Sequence, residues 1–289
     1  MMKKLFVVLG FLSLFAMGYS QSDMTWTFYN LGVKSNNDED ALYWFNKARE
    51  TTIETWEDTL SDYYLISEVL SMKYYLCGEY DSAIEIDSQT LEKGIIVFGE
   101  NSLICAGLYH SLALSYHSKF DDFVALKYEK KAHEIYESIE GETSENGVKC
   151  LNMIAMYENH LGDYLNAIKD QIKVVEIYQS INSDGEKYAT YIGNLSKYYD
   201  DYGDYENAIR WGTEALIQTE KAVGKMHPKY CNVLNTLGIT YEHMGEYQDA
   251  IRIGEEAITI QKQLTGELDP DYVMTPYIFV DYIVVGGDK

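Results

Sequence analysis

The sequence predicts an all-α fold, a stack of helix-turn-helix repeats, and three observations point to it. The first is a recurring string. LGITYEHMGEYQDAI, Leu237 to Ile251, stands earlier in altered form as YYLCGEYDSAI, YENHLGDYLNAI and YDDYGDYENAI. The second is its period. Aligned on the alanine of the Ala-Ile pair, the string recurs at Ala41, Ala83, Ala125, Ala167, Ala208 and Ala250, at spacings of 42, 42, 42, 41 and 42 residues. A fixed period of this length over most of a chain marks a stacked-repeat architecture. The third is composition: with 46% apolar residues and only 3 Pro, the 289-residue chain can build a core of helices.

Taken in chain order, the first element is a leader. Lys3 and Lys4 precede an apolar run from Leu5 to Ala16, and Gly18-Tyr19-Ser20 is a small-x-small site. This is the three-part pattern of a secretory signal over residues 1–20. It predicts a mature chain starting near Gln21, in the periplasm or outside the cell, and a Gram-negative bacterial source. An uncleaved anchor is the alternative reading. The run is short for a membrane span.

Six units then follow, over residues 23–275. Within the second helix of the last, apolar or small residues recur at Ala250, Ile251, Gly254, Ala257 and Ile258, the stripe of a half-buried helix. The first helix carries Leu234, Leu237, Gly238 and Tyr241 with the same periodicity. The turn between them holds Gly78, Gly162, Gly203 and Gly245 in four units and Phe120 in the third. Small residues at Ser71, Ala113, Ala155, Ser196 and Gly238 let two helix backbones approach closely; the first unit has Tyr29 there. Those two departures predict imperfect packing in the first and third units. Gly99, Gly141, Gly224 and Gly266 close their units as helix C-caps, and His227-Pro228 and Asp269-Pro270 open the next helix. Residues 276–289 break the pattern. Pro276 stands inside a seventh first helix, and YIFVDYIVVGGDK is β-branched and aromatic, so the segment reads as an atypical or truncated cap.

The chain HPKYCNVLNTLGITYEHMGEYQDAIRIGEEAITIQKQLTG resembles tetratricopeptide repeats, and its 42-residue length is similar to the kinesin-light-chain type. The resemblance implies a right-handed superhelix whose first helices line a concave groove. The repeated residues are then scaffold, since one helical pair cannot bury its apolar face alone. Function falls to positions that vary. Carried onto this sequence, the groove positions include Glu68, Met72 and Tyr75; His110, Leu114 and His117; and Lys149, Asn152, Met156, Asn159 and His160. In the last two units they include Thr190, Lys197, Asp200 and Asp201, then Asn232, Asn235, Ile239, Glu242 and His243. The family's LNNLG motif implies that Asn152 and Asn235, at its first Asn, and Asn194, at its second, contact bound peptide. Glu68 and His110 depart from it. The candidate peptide-binding residues are therefore Asn152, Asn159, Asn194, Lys197, Asn232, Asn235 and His243, against the plainer reading that they are ordinary solvated side chains.

The remaining chemistry is sparse. Metal binding is not expected, because His110 and His117 lie two helical turns apart and no H-x-x-x-H pair exists. Cys77, Cys105, Cys150 and Cys231 form no C-x-x-C pair and read as buried thiols. There is no G-x-S-x-G, phosphate-binding Gly loop or H-E-x-x-H, so no enzymatic activity and no cofactor are expected. With 46 Asp+Glu against 23 Lys+Arg the formal charge is -23, which disfavours nucleic acid and anionic lipid and admits protein or peptide partners, basic ones included. The expected function is non-catalytic peptide or protein binding. The alternative is a truncated sensory or regulatory arm of a longer signalling protein or caspase-like peptidase, since longer relatives of this repeat type carry such effector domains.

Overall fold

The computed structural model describes residues 21–53, 60–181 and 185–265. The leader expected at 1–20 and the segment 276–289 lie outside them, as do Gly266, Asp269 and Pro270. Twelve helices and no strand occur among the described residues. They pair as α1 (Gln21–Val33) with α2 (Asp38–Ile53), α3 (Leu60–Leu76) with α4 (Tyr80–Phe98), and α5 (Leu103–Ser118) with α6 (Asp122–Glu140). The later pairs are α7 (Glu145–His160) with α8 (Tyr164–Ile181), α9 (Glu186–Tyr202) with α10 (Tyr205–Val223), and α11 (Pro228–Met244) with α12 (Tyr247–Thr265). Odd-numbered helices are the first of each repeat, even-numbered ones the second. The chain divides within α6 into two compact units, residues 1–135 and 136–289.

Local signals set the helix ends. Ser102 accepts from the Cys105 amide at 3.3 Å, Ser144 from Gly147 at 2.9 Å, and Asp204 from Asn207 at 3.2 Å, each satisfying a donor that the first helical turn leaves open. Pro228 starts α11, where its missing N–H costs nothing. Gly203 and Gly245 end α9 and α11 in the left-handed conformation, at φ 89° and 85°, which a side chain would strain.

In the first unit each helix from α1 to α5 packs on the next, and in the second unit α7 to α12 do the same. The repeated positions are where the sequence puts the core. All six alanines of the Ala-Ile pair are buried, and so are the large apolar residues thirteen earlier, Phe28, Leu70, Leu112, Ile154, Leu195 and Leu237. Seven residues after the alanine, Ala48, Thr90, Ala132, Val174, Ala215 and Ala257 are all fully enclosed.

The two departures resolve differently from expectation. In the first repeat Tyr29 does not leave a poorly filled gap. Its ring packs on Phe45 at 5.7 Å, and Phe45 in turn covers Gly32, so an aromatic pair replaces the close backbone approach. In the third repeat Phe120 takes the left-handed conformation itself, at φ 62°, and keeps the turn's hydrogen bonds.

Four residues after the alanine the second helices carry an unexpected feature. Asp87, Glu129 and Gln171 are buried there, 42 residues apart. Glu129 meets His110 Nδ1 at 2.8 and 3.1 Å, and Gln171 Nε2 donates to the Tyr191 carbonyl at 2.9 Å. His110 therefore turns to a buried carboxylate and not to the groove, which corrects its sequence placement. No disulfide joins the four cysteines; Cys105, Cys150 and Cys231 are buried and Cys77 partly so.

Candidate binding groove on the second unit

Within residues 136–289, α7, α9 and α11 follow one another as neighbouring first helices. Asn152 on α7 and Asn194 on α9 are joined side chain to side chain, Asn194 Nδ2 donating to Asn152 Oδ1 at 3.0 Å. Both are partly buried. The bond uses the Asn194 amide nitrogen as donor and the Asn152 carbonyl oxygen as acceptor; the Asn152 amide nitrogen and the Asn194 carbonyl oxygen take no part in it.

One helix further on, the place that Asn152 holds on α7 belongs to Gly193 on α9. A Cβ there would meet nothing within 4 Å. A glycine inside a helix costs roughly 1 kcal/mol relative to alanine, and here no packing contact requires it. Gly212 on the adjacent α10 is the contrast: a Cβ there would fall 2.5 Å from Leu237 Cδ2 and 2.8 Å from Ser196 Oγ, so packing explains it. Gly193 instead opens a cavity of about 320 Å³. Asn194, Lys197 and Thr190 line it from α9, Asn232 and Thr236 from α11, and Thr219 and Val223 from the end of α10. The Lys229 ammonium pairs with the Glu186 carboxylate across the two helix starts and holds that carboxyl below the usual carboxylate range. The result is a recess with polar walls between two first helices, large enough for one bulky side chain.

The other candidates fall elsewhere. Asn159 is buried, not solvent-facing as its groove assignment implies. Its Nδ2 donates to Asp201 Oδ2 at 2.7 Å and its Oδ1 is enclosed without a hydrogen bond. His243 is half exposed, with Nδ1 against the Asp200 carboxylate at 2.9 and 3.2 Å. Asp200 is itself buried and is the partner of His243. Asn159, Asp200, Asp201 and His243 thus form a polar string near the C-terminal ends of α7, α9 and α11. Asn235 is partly buried and its Oδ1 accepts no hydrogen bond. Asn194, Lys197 and Asn232 are brought to one cavity, and Asn152 is joined to it by a hydrogen bond. Gly193 was missed in the sequence, where its signal is an absence: a mid-helix glycine three before the small residue, the position of Asn152 and Asn235 in the flanking repeats.

Residues 149–217 and 202–263 match the tetratricopeptide repeat family model. These are tetratricopeptide repeats. Solved structures agree on the fold. BtubC (BKLC) from P. vanneervenii aligns with a TM-score of 0.69 at 18% identity, over 80% of this chain and 94% of that one. A Podosopora anserina putative kinesin light chain with nearly identical TPR-like repeats aligns at 0.62 and 17%, over 69% and 95%. The signal-transduction ATPase with a tetratricopeptide repeat sensor from Pyrococcus horikoshii aligns at 0.69 and 17%, over 93% of this chain and 40% of that one. No curated protein matches the sequence significantly. Tetratricopeptide repeats are in general non-catalytic scaffolds for binding proteins or peptides. Among the described residues no helix is long and apolar enough to cross a membrane.

Proposed function

We propose that this chain is a non-catalytic scaffold that binds an extended protein segment along α7, α9 and α11, with one bulky side chain of the partner seated over Gly193. The observation that supports it is the open cavity above a mid-helix glycine that no packing contact demands. The Asn152 amide nitrogen and the Asn194 carbonyl oxygen, which their mutual bond leaves unused, are a donor and an acceptor that suit a peptide backbone, which offers the complementary pair. Lys197 and Asn232 border the same recess. A formal charge of -23 favours capture of basic partners, through a component that fades as salt rises. The leader-like pattern of residues 1–20 supports a scaffold that acts outside the cytoplasm.

The test is a partner recovered by affinity capture from the periplasm or medium, then titrated against variants. Gly193→Leu fills the recess while replacing a poor helix former by a good one. It should hold or raise stability, by up to about 1 kcal/mol, and weaken binding at least about tenfold. Asn152→Ala with Asn194→Ala removes two hydrogen-bonding side chains and should cost roughly 1–3 kcal/mol of affinity. Unchanged affinity in Gly193→Leu would remove the partner from this recess.

A further inference from the structure

The third repeat carries a feature that the groove does not use. The turns between first and second helices place one residue in the left-handed conformation, and in four repeats it is glycine: Gly78, Gly162, Gly203 and Gly245, at φ 79°, 81°, 89° and 85°. In the third it is Phe120 at φ 62°, the one non-glycine residue at positive φ among the described residues. The turn is otherwise the same. The Phe120 amide donates to the His117 carbonyl at 2.8 Å and the Asp121 amide to Tyr116 at 3.0 Å, as Gly78 does to Tyr75 at 3.0 Å and Glu79 to Tyr74 at 2.9 Å. A bulky side chain in this region is strained, and glycine would not be.

Among the described residues no packing contact offsets the strain. Phe120 is 96% exposed, and Phe123, three residues on at the start of α6, is 73% exposed. Ser118 Oγ donates to the Tyr75 hydroxyl at 3.1 Å, and Lys119 pairs with Asp81, so this turn lies beside that of the second repeat. There Leu76 is 70% exposed. Three large apolar side chains thus stand out from one edge of the first unit. Strain that the fold does not need, held where side chains project into solvent, points to a contact made outside the chain.

The charges around the projection choose the partner. Glu79 and Asp121 are exposed beside it, Lys119 is neutralised by Asp81, and Asp122 meets His117 Nδ1 at 2.5 Å. The edge is apolar at its tip and acidic at its border, on a chain of formal charge -23. A second copy of this chain would bring like charge against it. We propose that Phe120 and Phe123 are the anchors of a second docking surface, inserted into an apolar pocket of another protein whose border carries Lys and Arg. Such buried aromatic anchors ringed by complementary charge are the usual hot spots of protein interfaces.

The test uses the full chain in the organism that makes it. Phe123 is replaced by the photo-crosslinker p-benzoylphenylalanine, the adduct is identified, and the captured protein is purified and titrated. Phe120→Gly should melt no lower than wild type, because it relieves strain, yet bind the captured protein at least about thirtyfold more weakly. Affinity of the wild type should fall as salt rises from about 0.05 to 0.5 M. Gly193→Leu should leave this affinity unchanged, since the two surfaces lie on different units. The proposal is overturned by the absence of an adduct, by an adduct with a second copy, by equal affinity in Phe120→Gly, or by equal loss in Gly193→Leu.

Discussion

Asp87→Asn is expected to raise the stability of the folded chain at pH 8 by about 4 kcal/mol, and by little or nothing near pH 4. Asp87 sits on α4 four residues after Ala83 and is almost wholly enclosed. Burial pushes its carboxyl up from 3.8 to about 7, with Glu68 adding to the rise; a hydrogen bond from Ser71 and the charge of Arg49 oppose it but do not win. Its Oδ2 has no hydrogen-bond partner. In the unfolded chain the group titrates near 3.8. Between that value and about 7 the folded state binds the extra proton, so stability is fully present below pH 4 and is lost as pH rises through 7. A shift of roughly three units, at about 1.4 kcal/mol each, gives the magnitude. Asparagine keeps the volume and the Ser71 contact and cannot ionise. Urea midpoints of both proteins at pH 4 and pH 8 check it. The comparison must be between proteins, because a chain of charge -23 has a pH dependence of its own. A stabilisation of equal size at both pH values would show that burial does not raise the Asp87 carboxyl above its unfolded value.

That residue also marks the limit of what the sequence discloses. The core positions were legible because every repeat applies the same restriction: Leu195 and Leu237, or Ala167 and Ala208, face the same gap between neighbouring helices and so recur. The buried column at Asp87, Glu129 and Gln171 was not, since its residue type changes from repeat to repeat and each member meets a different partner. The groove was partly legible. A position rule places Asn194, Lys197 and Asn232 on one face, and they do share a cavity. The same rule places Asn159 there, yet Asn159 is buried and its amide is taken up by Asp201, one repeat further on. Position on a helix fixes a side chain's direction but not which neighbour claims its polar atoms. Phe120 was visible as a departure and pointed to imperfect packing; the turn instead keeps its geometry and carries the aromatic ring out into solvent.

Leu195→Ala should destabilise the protein by roughly 2–5 kcal/mol. Leu195 is fully enclosed on α9, in a cluster with Ile192 and Tyr198 from its own helix, Val148, Leu151 and Ala155 from α7, Ala167, Val174 and Tyr178 from α8, and Ala215 from α10. Removing its branched end leaves a void bounded by four helices. Their backbones are fixed by small residues in close contact, Ala155, Ala167 and Ser196 among them, so they have little room to collapse into it. The upper half of the range is therefore expected. Because each helix pair is supported only by its neighbours, the loss should not stay at one site. Hydrogen exchange should show protection falling together in α7, α8, α9 and α10. Lys197→Ala, two residues along the same helix but exposed, should change stability by no more than about 0.5 kcal/mol. Equal melting of the two variants would mean that α9 presents the wrong face to the core. A loss confined to α9 alone would mean that the repeats of the second unit fold without the coupling that their shared core provides.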